Sequence, residues 1–452
     1  MKRYIIIVLF LCSFISHAQE GLQEVREKMT DQAPQKEIWT LQECLSYATE
    51  HNLTILSAQL DRSNAVVNHK QSKLERLPNL YGGVSQSLTN GYSIDPITSA
   101  YVNEQIHSTS TSLNTSVTLF QGNQLNNQIK QNELLVDQSS LYVKEAENNI
   151  ILSITEAYLQ ALYYREAIYV AQNTLEGSNK EVETAKARYD AGAIAKKDYS
   201  DAVSQTASNK YNLIDSQNRY SAQVLVLKQL LELEPEVDFQ IEEPDIDYNG
   251  SSIIQNKTEI YREALASLPE IKASELNVDI YEKDLDIAKG GYLPSLSLSG
   301  SLGSGYTSIQ DLTFSDQFDL NFNQRVGLSL NIPIFSRGQV KAQVQTAKIN
   351  IKRAEIDLRT EEKELYQKIE TAWRNSVSAQ EQITAAEAAR NAARDSYALA
   401  QEQYEVGSIN TTDLVLSQNL YTNAEQNYIQ AKYLSILYNQ LLQFYQGNEI
   451  KI

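Results

Sequence analysis

The sequence predicts a mainly α-helical protein with a smaller β part, built from two halves that repeat one order of elements: helix, strand hairpin, long helix, helix. Gly 17 and Pro 8 are few for 452 residues, and long stretches lack both, which favours long helices. Four short runs alternate apolar and polar residues, the two-residue period of a strand. The second half of the chain matches the first at a nearly constant shift, which indicates a duplication.

The N-terminus is typical of a secretory signal peptide. Lys2 and Arg3 precede an apolar run at residues 5–14, and the small residues Ser16 and Ala18 flank a cleavage position before Gln19. A retained membrane anchor is disfavoured, because a bilayer-spanning helix needs about 20 apolar residues. We therefore predict a signal peptide at residues 1–18 that is removed, followed by a flexible polar segment at residues 19–38.

The internal repeat defines the domain boundaries. The shift between matching residues is 216 at the start of each half and 215 from Phe120 onward. Matching pairs include Ala48 with Ala264, Pro78 with Pro294, Phe120 with Phe335, Tyr189 with Tyr404, Gly192 with Gly407, and Asp198 with Asp413. We place the first repeat at residues 39–233 and the second at residues 256–447. An acidic linker or small irregular element occupies residues 234–255, and a tail occupies residues 448–452.

The first helix and the strands of each half follow from proline and periodicity. Helical stretches at residues 41–76 and 258–289 end before Pro78 and Pro294, because the residue before proline is pushed out of the α region. Strands are predicted at about residues 80–92 and 110–120 in the first half, and at about residues 295–306 and 322–335 in the second. Residues 93–108 and 307–321 are predicted to be loops.

The long helices come next in each half. Residues 124–188 and 339–403 lack proline, and at 1.5 Å per residue such helices reach roughly 100 Å. Each ends at a turn that contains Gly192 or Gly407, and a return helix follows at residues 198–233 or 413–445. Two short helices stacked end to end would match the length of one long helix. This match of lengths predicts a cylinder wall of paired antiparallel helices.

The strands have one apolar and one polar face. Four such strands cannot close a barrel alone, and open edges are not tolerated in lipid. Eight strands from a dimer would leave an interior filled by side chains, whereas twelve from a trimer would leave a channel. An ordinary soluble sandwich is the alternative. The predicted lipid-facing residues are Leu296, Leu298, Val326, Leu328, Leu330, Val117 and Leu119, the predicted lumen residues are Ser297, Ser299, Ser301, Ser329, Asn331, Asn114 and Ser116, and the predicted interfacial aromatic residues are Tyr81, Tyr92, Tyr306, Phe120, Phe322 and Phe335.

Composition argues against several functions. Lys+Arg 39 against Asp+Glu 57 gives a net charge of -18, which disfavours nucleic-acid binding. His51, His69 and His107 are widely separated and do not have the spacing of metal ligands. Residues 300–305 are glycine-rich, but no lysine or helix follows as in a phosphate-binding loop. Cys44, the one cysteine beyond the signal peptide, is read as a small hydrophobe. We predict no catalytic residue, no metal site and no cofactor.

Several segments together carry a family resemblance. The chain resembles the TolC-like outer-membrane efflux protein family over essentially the whole mature length. The segments are residues 39–48 with His51 and Asn52, the Leu-Pro-x-Leu entries at Leu77 and Leu293, residues 332–335 with Gly338, and the two Tyr-x-x-Gly-x-x-x-x-x-Asp turns that begin at Tyr189 and Tyr404.

The resemblance implies a fold and a function. Three copies would form a twelve-stranded outer-membrane β-barrel that continues into a periplasmic α-helical barrel. This homotrimer would be the exit duct of a tripartite efflux or type I secretion system, opened by docking to a periplasmic adaptor protein and an inner-membrane transporter. The alternative is a secreted periplasmic coiled-coil scaffold or tether without a pore. A pore would need detergent to stay in solution, whereas a tether would not.

The resemblance also implies site residues at the two helix-turn-helix tips. Tyr404, Asp413 and Asp198 match the periplasmic gate, and we expect a hydrogen bond between Tyr404 and Asp198. The adaptor-contacting positions are Tyr189, Gly192, Ile194, Gly407 and Ile409. The chain departs from the family pattern in two places: Ile409 replaces an arginine, and Leu416 replaces a second aspartate.

Four of these tip residues also have a simpler interpretation. Asp198 and Asp413 would cap the return helices or lie near their favourable N-termini. Gly192 and Gly407 would provide the positive φ that the turn requires.

Overall fold

The computed structural model describes residues 38–94, 99–244 and 255–450. The predicted signal peptide, residues 19–37 of the N-terminal segment, residues 245–254 of the linker and residues 451–452 of the tail lie outside the described residues. The chain divides into two compact units. The first contains the described parts of Met1–Asp61, Ser140–Ala273 and Arg359–Ile452, and the second contains the described parts of Arg62–Ser139 and Ser274–Leu358.

The described residues form the duplicated order of elements that the sequence predicts. The first half contains β1 (Ile38–Trp39), α1 (Leu41–His51), α2 (Leu53–Leu74), β2 (Asn79–Ile94), β3 (Tyr101–Gln121), α3 (Gln124–Asp190), α4 (Lys196–Leu230) and β4 (Gln240–Ile241). The second half contains α5 (Lys257–Ser267), α6 (Pro269–Gly290), β5 (Ser295–Thr307), α7 (Phe314–Leu320), β6 (Asn323–Asn331), α8 (Gln339–Glu405) and α9 (Thr411–Tyr445). The long helices α3 and α8 both have 67 residues, and the return helices α4 and α9 both have 35.

The first helix of each half is interrupted, which the sequence analysis did not predict. Asn52 and Leu268 both leave the helical region, with ψ of 128° and 133°. The Asn52 side chain donates to the Leu230 carbonyl at 2.9 Å and accepts from the Thr54 amide at 2.9 Å, so it starts α2. In the second half Pro269 follows the break, where its missing N–H costs nothing.

The second unit contains an antiparallel sheet in the order β2-β3-β5-β6. Its register pairs Val117 with Leu298 and Leu298 with Leu328, so these apolar residues share one face. Ser116 pairs with Ser299 on the opposite face, which confirms the predicted alternation. A bulge between Thr118 and Phe120 places Phe120, not Leu119, opposite Leu296. Leu119 falls within this bulge, so its predicted lipid-facing orientation stays a prediction.

The strand connections also differ from the predicted loops. The pairing of β2 and β3 continues to Ile94 and Tyr101, so most of the predicted loop at residues 93–108 is strand. Hydroxyl pairs at 2.7 Å, Ser85 with Ser110 and Ser87 with Ser108, join the two strands, and the second pair includes Ser108 of the predicted loop. The other predicted loop, at residues 307–321, contains helix α7.

The core of the first unit lies where β1 pairs in parallel with β4. The Tyr158 hydroxyl donates to the Trp39 carbonyl at 3.2 Å and to the Glu242 carbonyl at 3.0 Å. Part of the predicted linker is therefore a strand held in the core. Cys44 is fully buried there, and burial raises the pKa of its thiol to about 12, which confirms its interpretation as a small hydrophobe. Among the described residues, no helix is both long and apolar enough to cross a bilayer.

Candidate functional site

Two matching helix-turn-helix tips in the first unit are the candidate site. The first tip comprises residues 188–199 and the second comprises residues 403–414. Both turns have the Schellman hydrogen-bond pattern. The four bonds are Gly192 N to Tyr189 O at 2.9 Å, Ala193 N to Arg188 O at 2.8 Å, Gly407 N to Tyr404 O at 3.0 Å, and Ser408 N to Gln403 O at 2.9 Å. Gly192 and Gly407 have φ of +72° and +80°, which confirms their predicted conformational role.

Asp198 and Asp413 occupy equivalent places in the first turns of α4 and α9. Neither residue is the helix cap, so the capping interpretation is wrong. Asn410 caps α9 by accepting from the Asp413 amide at 2.9 Å, while Ala195 precedes α4 without a side-chain bond. Both carboxylates instead lie where the N-terminal end of the helix dipole favours negative charge, as the second interpretation predicts. Asp413 is exposed, so its charge faces solvent in the single chain.

The second tip has a small core around Tyr404, which is 4% exposed. Ala400 and Leu414 are buried beside Tyr404, and half-buried Ile409 packs against them. Ile409 thus makes apolar contacts at the position where the resemblance leads us to expect an arginine. The Tyr404 hydroxyl lies 3.3 Å from the Thr411 hydroxyl. The predicted bond from Tyr404 to Asp198 is not formed within the described part of this chain, because Thr411 takes its place.

Arg188 links the two tips. Its guanidinium donates to the Glu405 carbonyl at 2.7 Å and lies 4.7 Å from the centre of the Tyr404 ring. The last turn of α3 is therefore bound to the last turn of α8 by a charged hydrogen bond and a cation–π contact. Arg188 is not among the residues predicted from the sequence for the tips.

A second link lies further from the turns and joins α3, α8 and α9. The Tyr397 hydroxyl donates to Glu181 at 2.8 Å, and the Gln418 amide donates to the same carboxylate at 3.3 Å. Gln418 and Gln401 also donate to the Tyr397 oxygen, at 3.1 and 3.0 Å. We call Glu181, Tyr397, Gln401 and Gln418 the Glu181 cluster.

Burial governs the titration of the Glu181 cluster. Burial raises the pKa of Glu181, and the hydrogen bond from Tyr397 opposes this only in part. Burial also raises the pKa of Tyr397, and the nearby Glu181 charge adds to that shift. The tyrosine is therefore a stable donor, whereas the carboxyl group is the member of the cluster that responds to pH.

The other predicted residues of the first tip form a more exposed surface. The rings of Tyr189 and Tyr199 stack with centroids 5.8 Å apart, and Ile194 is half-buried. The structure brings Arg188 to Tyr404 but does not bring Asp198 to Tyr404.

The linking residues that the sequence analysis missed share one signal. At the shift of 215, Arg188 matches Gln403, Glu181 matches Ser396, and Gln418 matches Val203. Each linking residue therefore lies at a position where the two halves differ in polarity or charge. A search for divergence within the repeat could have identified them.

Comparisons with known proteins agree with this architecture. The family model described as outer membrane efflux protein matches residues 44–232 and 260–446. The outer membrane protein TolC of Escherichia coli is 24% identical over 404 residues, which is 86% of this chain and 78% of that protein. The outer membrane efflux protein BepC of Brucella suis is 25% identical over 325 residues, which is 70% of this chain and 67% of that protein.

Solved structures share the fold. The outer-membrane protein VceC of Vibrio cholerae superposes with a TM-score of 0.77 at 18% identity, covering 91% of this chain and 97% of that one. The outer-membrane channel CmeC of Campylobacter jejuni superposes with a TM-score of 0.76 at 18% identity, covering 91% of this chain and 87% of that one.

Proposed function

Because the chain belongs to the outer membrane efflux protein family, we propose that three copies of it form an exit duct whose strands close a twelve-stranded barrel. The chain is an outer-membrane efflux channel and not an enzyme. The duct serves a tripartite efflux or type I secretion system, in which a periplasmic adaptor protein and an inner-membrane transporter engage its tips. The relatives named for protease secretion, AprF of Pseudomonas aeruginosa and PrtF of Dickeya chrysanthemi, and those named for efflux support this range.

The observation that carries the proposal is the four-stranded sheet. Among the described residues, its outer strands β2 and β6 each pair with one neighbour, so both edges of the described sheet are open in a single chain. One face is apolar and exposed, with Val326 at 80% and Val84 at 76%. Lipid would cover that face, but an open edge in lipid leaves backbone groups without partners. Pairing β6 of one copy with β2 of the next removes every edge and encloses the serine-rich face in a channel.

The same observation argues against the soluble tether. A tether would leave Leu80, Val84, Val326 and Leu328 in water, and such a contiguous apolar surface is rare on soluble monomers. A membrane channel gives these residues a partner.

We assign the tips to gating and docking. Tyr189, Gly192, Ile194, Gly407 and Ile409 form the surface offered to the adaptor, and Tyr404, Asp413 and Asp198 lie at the constriction. Three copies of Asp413 around a narrow opening would repel one another and attract cations, as charged rings do in other pores. The exposed position of Asp413 supports this role.

The first test is the mass of the detergent-extracted mature protein, measured by light scattering and corrected for bound detergent. A particle of three chains is expected. A monomer that stays soluble without detergent would overturn the proposal, because the strands would then have to satisfy their edges in another way.

A further inference from the structure

The connection between β5 and β6 is a folded element. The Gln317 side chain is fully buried and forms two backbone bonds with Thr307, accepting from its amide at 2.9 Å and donating to its carbonyl at 3.0 Å. The same amide group donates to the Leu312 carbonyl at 3.1 Å. Thr313 caps α7 by accepting from the Asp316 amide at 3.2 Å. These bonds hold α7 against the end of β5.

The aromatic side of α7 lies over the apolar face of the sheet. The Ser304 hydroxyl donates to the Phe318 carbonyl at 2.5 Å, and Ser304 shares its face with Leu302 two residues earlier. The Tyr306 ring, on the same face, lies 5.4 Å from the Phe314 ring. Phe314 in turn stacks with Phe318 at 5.8 Å. The helix therefore adds an aromatic group to the surface that the proposed function assigns to lipid.

A groove of about 300 Å³ lies between α7 and the sheet. We call it the α7 groove; its walls include Gly82, Val84, Leu113 and Leu302 on the strands and Phe318 and Phe322 beside them. None of the described residues that line the groove is charged. Its volume lies at the lower end of the range for ligand sites, which suits one narrow apolar chain better than a bulky ligand.

We propose that the α7 groove binds one acyl chain of an outer-membrane lipid. Val84 lines the groove and is also 76% exposed on the apolar face that carries Val326, so the groove opens onto the surface that the proposed function turns toward lipid. Tyr306 and Phe314 lie next to the groove, where aromatic rings are favoured at a membrane boundary. The inference rests on the proposed function, because it needs this face to be turned toward lipid.

Tryptophan quenching tests the assignment in bilayers of phosphatidylcholine with dibrominated acyl chains, compared with unbrominated bilayers. A tryptophan is placed in the groove (Phe318→Trp), on the open apolar face (Val326→Trp) or on the polar face (Ser299→Trp). Trp39 and Trp373 are present in every protein, so the parent signal is subtracted. Bromine is expected to quench the first two tryptophans several-fold more than the third.

A groove-filling substitution separates binding in the groove from simple contact with lipid. Gly82→Phe adds a ring where a new Cβ meets only the Leu113 side chain at 3.9 Å, and Val84→Phe is a second filling variant. Either one is expected to reduce quenching at position 318 at least several-fold and to leave position 326 unchanged, in particles whose trimer mass is intact.

Three outcomes overturn the inference in distinguishable ways. Absence of quenching at position 326 would refute the membrane-facing assignment and the proposed function with it. Quenching at position 326 but not at position 318 would refute the groove alone. Quenching at position 318 that both filling variants leave unchanged would show plain lipid exposure without a bound chain.

Discussion

The guanidinium of Arg188 lies 4.7 Å from the centre of the Tyr404 ring and donates to the carbonyl of the next residue, Glu405, at 2.7 Å. This relationship joins the ends of the two long helices, which are more than 200 residues apart in sequence. Arg188 also places a positive charge at the tips, although position 409, where the resemblance leads us to expect an arginine, is isoleucine. The two tips of one chain are therefore fastened by a residue of the first half acting on the second.

Removing Arg188 should loosen the tips. The charged hydrogen bond contributes about 1.5–3 kcal/mol and the cation–π contact about 0.5–1 kcal/mol. We expect Arg188→Ala to raise the open-state conductance or open probability of trimers in planar bilayers several-fold. Lys186→Ala is the matched control, because it removes the same charge from an exposed position one half-turn earlier. Equal effects of the two substitutions would contradict a specific role for Arg188.

Asp413 should control ion preference without supporting assembly. Asp413→Ala removes a first-turn acid, which costs about 0.3–1 kcal/mol, and the Asn410 cap remains. We therefore expect intact trimers with lower cation preference, measured as a shift of reversal potential in a salt gradient. Asp395→Ala removes an exposed carboxylate from α8 as the control. If Asp413→Ala leaves conductance and selectivity unchanged, Asp413 does not lie at a constriction.

The Glu181 cluster should make stability depend on pH. Because burial raises the pKa of Glu181, the folded protein binds this proton more readily than the unfolded chain. The resulting stabilisation is complete below the ordinary glutamate pKa of about 4.3 and is lost as pH rises through the folded value. The thermal unfolding temperature of the wild type should therefore rise as pH falls through that window, and Glu181→Gln should flatten this dependence.

Glu176→Gln provides the control for this measurement. Glu176 lies on the same helix and its side chain is 68% exposed, so its contact with Lys180 is screened by solvent and its loss should leave the slope close to that of the wild type. A slope that Glu181→Gln does not change would mean that other carboxyl groups with raised pKa, such as Glu145 and Glu270, account for the pH dependence.

Cys44 should be chemically silent in the folded protein. Its side chain is fully buried, and a pKa of about 12 leaves almost no thiolate at about pH 8. A disulfide reagent such as dithionitrobenzoate should not react with the native protein and should react fully after unfolding in guanidinium. Ser200→Cys, at an exposed position in α4, should react at once. Rapid reaction of native Cys44 would show that this core opens.

Local sequence patterns predicted the structural features that are set by residues close together in the chain. The absence of proline from residues 124–188 predicted a helix whose observed bounds are Gln124–Asp190. The alternation at residues 296–302 predicted which side chains share a face, and the register of β5 confirms it. The break at Asn52 was missed because its side chain bonds the Leu230 carbonyl, 178 residues away.

The sequence by itself determined the two halves, their order of elements, the two faces of the strands and the glycine turns. Each of these follows from the conformational preferences of a residue and the few around it, and repetition of the pattern reinforced each one. Only the tertiary structure decided that Arg188 reaches Tyr404, that Glu181 meets Tyr397, and that α7 lies on the apolar face. These contacts depend on how helices and strands that are distant in sequence pack together. The periodicity of apolar and polar residues shows which face of an element is buried, but not which side chains of two packed faces meet.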